Sequence, residues 1–136
     1  MSQENVEILR GMFALVNEQG VKSATDAFGD LLDPDFELEE AANLPDQERY
    51  SGKDAFIANL AKLDESFEDL RIQPIEFVDL DSKLVVVVSI AGRGRAGGTP
   101  VETTIAQLWT LRNGRAVSLR DYASKTEALE AAGLRR

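Results

Sequence analysis

The sequence predicts a single α+β domain over residues 1–136, and three observations predict it. Helical periodicity fills the N-terminal half, long strand-like segments fill most of the remainder, and a short capped helix closes the chain. The most informative stretch is Val101 to Tyr122. It reads as two long strands joined by Asn113-Gly114, a dipeptide that favours the positive φ angles of a two-residue hairpin. With 43% apolar residues the chain can bury one core.

Each element has its own signal. Ser2 is a plausible N-cap for a first helix to about Gln19, with Val6, Leu9, Phe13 and Val16 on one face and Gly20 as terminator. Ser23 and Asp26 form an S-x-x-D cap for a short second helix, which Asp33-Pro34 stops. Asp35 to Glu40 alternates acid with apolar, the period of a strand, and Ala41 to Arg49 reads as a loop. Ser51 to Asp54 caps a third helix carrying Phe56, Ile57, Leu60 and Leu63. Phe67 to Leu80 is a strand region whose Pro74 suits an edge or a bend. Asp81-Ser82 turns into a strand from Leu84 to Arg95, and Gly94 to Pro100 leads to the hairpin. Ser124, with Glu127 three residues on, starts the last helix. Gly133 ends it, with Leu134 in the apolar position of a Schellman motif.

Composition narrows the chemistry. A net charge of −9 argues against nucleic acid, whose phosphates call for clustered Lys and Arg, and against anionic membrane surfaces. No apolar run approaches the ~20 residues of a membrane span, and the polar start does not resemble a signal peptide, so a cytoplasmic location is expected. The chain has neither Cys nor His. Thiol nucleophiles, thiolate metal sites and the commonest neutral-pH base are thereby absent. No EF-hand pattern appears, and no metal or cofactor is expected. The run Gly92 to Gly98 opens no helix and lacks a Gly-Lys-Ser/Thr ending, so it is a strand connection rather than a phosphate loop.

Several phrases, in order, carry a family resemblance. They are Asn5-Val6-Glu7-Ile8, Leu32-Asp33-Pro34-Asp35-Phe36-Glu37, Tyr50-Ser51-Gly52-Lys53-Asp54, Leu108 to Arg115, and Glu127 to Leu134. Together they resemble the nuclear transport factor 2-like superfamily, and within it the SnoaL-like (polyketide cyclase-like) and ketosteroid isomerase-like proteins. The resemblance covers essentially the whole chain. It implies a cone: a strongly curved, mostly antiparallel sheet wrapped around three N-terminal helices, with a short C-terminal helix and a pocket between sheet and helices. It also implies a homodimer through the outer sheet face and a small organic ligand. The superfamily holds isomerases, cyclases, dehydratases and hydrolases as well as non-catalytic binding and dimerisation domains, so both kinds of function stay open.

Without His or Cys, acid–base work falls to carboxylates, Tyr or Lys. Seven acids and no base occupy Asp26 to Glu40, which reads either as a solvated surface or as the source of a pocket carboxylate. By resemblance Glu39 stands where the isomerase branch has its general base, with Glu37 at the same strand parity. A carboxylate in an apolar pocket has its pKa raised, which suits it to take a proton from carbon. Met12 and Gln107 stand at the oxyanion positions of that branch. Met12 has no proton to donate, whereas the Gln107 amide has. Asp121 matches the acid/base aspartate of the cyclase branch, whose neighbouring histidine this chain lacks. The alternative for Asp121 is a helix cap or an arginine partner. Strand alternation sets Leu119 beside Asp121 and Gln107 beside Trp109. The resemblance makes these faces pocket walls, with Phe13, Phe56 and Leu60 supplying apolar walls from the helices. Trp109 is otherwise core. Tyr50 is either a hydroxyl donor at the mouth or a brace for the turn before the third helix. Arg93 and Arg95 are expected on solvent.

Overall fold

A computed structural model describes residues 2–39, 49–95 and 97–133, without the side chains of Ser2, Lys22, Phe28, Glu39, Arg49 and Tyr50. Helix α1 (Ser2–Gln19) buries Val6, Leu9, Met12, Phe13 and Val16, the stripe its periodicity foretells. It begins at Ser2 itself. Gly20 ends it in the left-handed region, at φ 86°, with its N–H on the Val16 carbonyl at 3.0 Å. That same glycine starts α2 (Val21–Phe28), its carbonyl taking the Ala24 N–H. Ser23 therefore lies inside α2 and caps nothing: the left-handed glycine lets the chain turn at once into a second helix, leaving no turn for a cap to organise. A 3₁₀ turn over Gly29–Leu31 then closes the helical stretch, ahead of Asp33-Pro34.

Strand β1 (Leu32–Glu39) is longer than the alternation suggests, because Pro34 lies within it. Proline cannot donate to a ladder, and the pairing of β1 shifts register between Leu32 and Glu37. Asp33 Oδ1 accepts the Asp35 N–H at 2.8 Å across this kink. Most of the expected loop from Ala41 to Arg49 lies outside the described residues. At its end a three-residue strand β2 (Arg49–Ser51) pairs antiparallel with β1. Ser51 belongs to that strand, opposite Glu37, so it is not the cap of α3 (Lys53–Ser66). Gly52 is, at φ 96° and without a side-chain bond.

The long strands follow the sequence closely: β3 (Phe67–Leu80), β4 (Lys83–Gly94), β5 (Pro100–Arg112) and β6 (Arg115–Tyr122), with α4 (Lys125–Ala131) last. Asn113 and Gly114 both have positive φ, 54° and 79°, as a type I′ turn requires. The Ser124 hydroxyl accepts the Glu127 N–H at 3.2 Å and caps α4. Gly133 follows at φ 96°, and Leu134 lies outside the described residues.

The six strands form one sheet in the order β2-β1-β6-β5-β4-β3, antiparallel throughout except for β1 beside β6. Chain topology explains the exception: α3 carries the chain from the β1 edge to the β3 edge. Three hairpins then walk it back until β6 meets β1. Register shifts in β3 at Glu68/Arg71 and Pro74/Glu76, and in β5–β6 at Thr110/Leu111, mark bulges that bend the sheet around the helices. Pro74 lies on an edge strand, where its missing N–H costs least. The adjacent edge backbone is not left open. Asn17 of α1 donates to the Ile72 carbonyl at 3.0 Å and accepts the Ile72 N–H at 2.9 Å.

The inner sheet face packs Leu84, Val86, Val88, Trp109, Leu111 and Leu119 against the helices. A smaller cluster on the outer face joins Val85, Ala106 and Leu108 to Ala128 of α4. This second cluster explains the β-branched run Val85–Val88: at that point the strand is covered on both sides.

Candidate functional site

A cavity of about 110 Å³ lies between α1, α3 and the inner sheet face. Helix α1 contributes Leu9, Met12, Phe13 and Val16. Helix α3 contributes Phe56, Asn59, Leu60 and Leu63. The strands bring Gln107 and Trp109 from β5 and Leu119 and Asp121 from β6. Gln107 and Asp121 are direct cross-strand partners, as are Trp109 and Leu119. Cross-strand partners hold their Cβ atoms about 5 Å apart, so an amide and a carboxylate form one polar wall.

The polar wall is built on a buried hydrogen bond. Trp109 Nε1 donates to Gln107 Oε1 at 2.9 Å, and both residues are more than nine-tenths buried. The indole N–H has no acceptor capacity, so the bond defines which end of the amide is oxygen. The Gln107 NH₂ is left as the donor end. Asp121 is half-buried, with Oδ1 sealed from solvent.

The apolar walls are aromatic on three sides. The rings of Phe13 and Phe56 stand nearly perpendicular to the indole of Trp109, at 82° and 87°, with centroids 6.5 and 6.4 Å away. Phe36 backs this group from behind, 4.6 Å from the Phe56 centroid. Edge-to-face pairs of this kind each contribute about 0.5–1.5 kcal/mol beyond burial, which holds the walls in place.

Eight of the residues singled out in the sequence therefore line one cavity: Met12, Phe13, Phe56, Leu60, Gln107, Trp109, Leu119 and Asp121. Glu37 does not. It is exposed, because β1 turns Phe36 and Leu38 inward and leaves Asp35 and Glu37 on the opposite side. Leu38 is the lining residue from this strand. For Glu39 and Tyr50 only the backbone is described, Glu39 paired with Arg49 and Arg120, Tyr50 with Leu38; their side chains lie outside the described residues. The cap of α4 is Ser124, so Asp121 is not needed there. Arg93 is exposed, and Arg95 is tied to the end of α3, its Nε donating to the Glu65 carbonyl at 2.8 Å.

Asn59 was not singled out in the sequence, although it shares the cavity face of α3 with Phe56, Leu60 and Leu63. Its signal was the spacing: three residues after Phe56, a polar residue interrupts an apolar stripe. Among the described residues no group of three or more carboxylates stands close enough to hold a metal ion, and no helix is long and apolar enough to cross a membrane.

Residues 9–119 match the family model of the SnoaL-like domain. The chain belongs to the SnoaL-like domain family. Solved structures share the fold over nearly all of its length. A putative SnoaL-like polyketide cyclase from Jannaschia superposes with a TM-score of 0.74 at 19% identity, covering 99% of this chain and 95% of its own. A putative isomerase from Bacillus subtilis gives 0.72 at 24% identity, covering 96% and 94%. A hypothetical protein with a ketosteroid isomerase-like fold from Catenulispora acidiphila, solved in complex with trimethylamine, gives 0.71 at 19% identity, covering 95% and 94%. Comparison with curated proteins gives no match. This SnoaL-like domain thus shares its architecture with proteins described as a putative cyclase and a putative isomerase.

Proposed function

We propose that this SnoaL-like domain encloses one small organic molecule in the cavity and holds it at the polar wall formed by Asp121 and Gln107. The observation that carries this reading is the cross-strand pairing of the two residues in an otherwise largely apolar pocket. Polar groups that converge in an apolar pocket fix the orientation of a ligand, while the walls supply its affinity. An apolar cavity of about 150 Å³ holds a benzene molecule, and this one is somewhat smaller. The trimethylamine bound to the Catenulispora protein is of that order.

A second reading makes the site catalytic. Asp121 beside an amide donor suits cofactor-free proton transfer, with the carboxylate as base and the Gln107 NH₂ on the substrate oxygen. Asn59 offers a further amide from the opposite side. The homodimer through the outer sheet face belongs to the proposal as well; sedimentation showing a monomer at micromolar concentration would remove it.

Trp109 is the only tryptophan of the chain, so its fluorescence reports cavity occupancy. A panel of molecules up to the size of one ring is titrated while that emission and the indole N–H resonance are followed. We expect saturable shifts with at least one member, lost in Ile105→Phe, which projects a ring into the cavity. No shift with any member overturns the binding reading. Solvent deuterium entering a bound carbonyl compound, and not doing so with Asp121→Asn, would establish the catalytic one.

A further inference from the structure

We infer that Asn59 of α3 is a specificity-determining residue which, together with Gln107, selects a small carbonyl compound carrying a second polar group, as an amide or hydroxy-ketone does; this rests on the cavity being a ligand site at all. Phe56, Asn59, Leu60 and Leu63 follow the i, i+3, i+4, i+7 spacing of one helix face, and all four line the cavity. Packing and helix propensity both favour an apolar residue at the second of these positions. Asparagine is a poor helix former, because its side chain competes for backbone groups. Yet α3 leaves Ala58 and Ala61 exposed and sets Asn59, half-buried, against the cavity. Among the described residues the Asn59 amide makes no hydrogen bond with the protein. Its polar atoms therefore serve neither the helix nor a neighbouring element.

Gln107 adds an independent observation from the sheet. Its side chain is more than nine-tenths buried and lines the same cavity. Oε1 is occupied by the Trp109 N–H at 2.9 Å, so Nε2 is fixed as a donor, and among the described residues it meets no acceptor. An occupant that brings a lone pair to this atom gains a hydrogen bond. One that does not forfeits the bond that solvent would supply. The two amides differ in what they ask of a ligand. Gln107 is locked and offers only N–H, which calls for an acceptor such as a carbonyl oxygen. Asn59 is unlocked and can turn either its oxygen or its NH₂ inward, so it takes a second polar group of either kind. A hydrocarbon meets neither demand and a simple ketone meets only the first. A carbonyl with an N–H or O–H beside it meets both. The volume of about 110 Å³ limits such a molecule to about one small ring.

The test uses the full chain and three five-membered rings of similar bulk: cyclopentane, cyclopentanone and 2-pyrrolidinone, which carry no polar group, an acceptor, and an acceptor beside an N–H. Affinities are read by ligand-observed NMR titration, and each variant is compared with the unaltered protein probe by probe, so that differences in hydration between probes cancel. Asn59→Leu is expected to weaken 2-pyrrolidinone by roughly 5-fold or more, the scale of one net hydrogen bond, without weakening cyclopentane. Gln107→Met is expected to weaken both carbonyl probes relative to cyclopentane. Leucine at position 59 continues the apolar stripe with a better helix former, so that variant should fold; if Gln107→Met does not, the Asn59→Leu comparison decides. If Asn59→Leu shifts all three probes alike or none of them, or if 2-pyrrolidinone fails to bind where cyclopentanone does, the assignment of Asn59 falls and the pocket reading stands. If none of the three binds and the wider panel of ring-sized molecules also fails, both fall.

Discussion

The indole N–H of Trp109 is held by the side-chain oxygen of Gln107, two residues along the same strand face, at 2.9 Å in the buried wall of the cavity. The bond joins a packing residue to a site residue. It sets the amide so that its donor end, not its acceptor, is available at the polar wall.

Trp109→Phe should leave Gln107 Oε1 buried without its donor and cost about 1–3 kcal/mol beyond the lost ring area. Gln107→Leu should likewise strand the indole N–H. The double variant should be less destabilised than the sum of the two by about 1 kcal/mol, as expected for partners in one bond. Urea unfolding of the four proteins measures this cycle; strictly additive effects would show that the bond contributes nothing.

Ile105→Phe should be tolerated, costing under about 1.5 kcal/mol, because the added ring enters existing space rather than packed core. Ligand-induced shifts of Trp109 fluorescence should vanish in the same variant. Thermal unfolding together with the titration checks both; a large loss of stability would mean that the space is already filled by neighbouring side chains.

Asn17→Ala should destabilise by about 1–3 kcal/mol, since it strips partners from both the N–H and the carbonyl of Ile72. Hydrogen exchange localises the effect. Protection at Ile72 should fall while that of the central strand residue Val86 follows only the global change.

Gly92→Ala should cost about 1–3 kcal/mol through overpacking. A Cβ at Gly92 would sit 3.1 Å from Phe67 Cβ and 3.3 Å from the Glu68 carbonyl oxygen, against the bulged start of β3. Gly97→Ala, whose nearest neighbour is a side-chain oxygen at 3.6 Å, is the matched control and should be close to neutral. Chemical denaturation of the two variants distinguishes them.

Much of the fold was legible because local chemistry agreed with the tertiary structure. Asn113-Gly114 admits positive φ at both positions, Pro74 excludes a central strand, and Ser124 offers an oxygen to Glu127. The failures share a cause. Ser23 and Ser51 carry good capping side chains, yet the helices start from Gly20 and Gly52, whose backbones take a conformation open to glycine. The kink at Pro34 hid three residues of β1, and β2 is too short to show a period. In the site, alternation on β5 and β6 identified Gln107, Trp109, Leu119 and Asp121, since the pairing from Ala106–Tyr122 to Thr110–Ser118 is unbroken and keeps parity; the bulge at Thr110/Leu111 falls outside it. On β1 the acids drew attention although the apolar residues between them face inward. The Trp109–Gln107 bond left no trace in the sequence, because hydrogen bonding between positions i and i+2 depends on rotamers, not on residue type.

The parallel pairing of β1 with β6 has a temporal meaning. Leu38 and Leu119 are register partners, yet more than half of the chain separates them, and both face the cavity. Every other pairing in the sheet joins strands adjacent in sequence, which can zip from a turn. This one closes the longest loop in the sheet. The cavity acquires its Leu38–Leu119 wall only when the first strand of the chain docks beside the last. A partly folded chain, with its four-stranded meander complete but this seam open, presents Trp109 and Asp121 on an unclosed surface. On the proposed function, ligand recognition would need the closed chain, and binding would stabilise this seam.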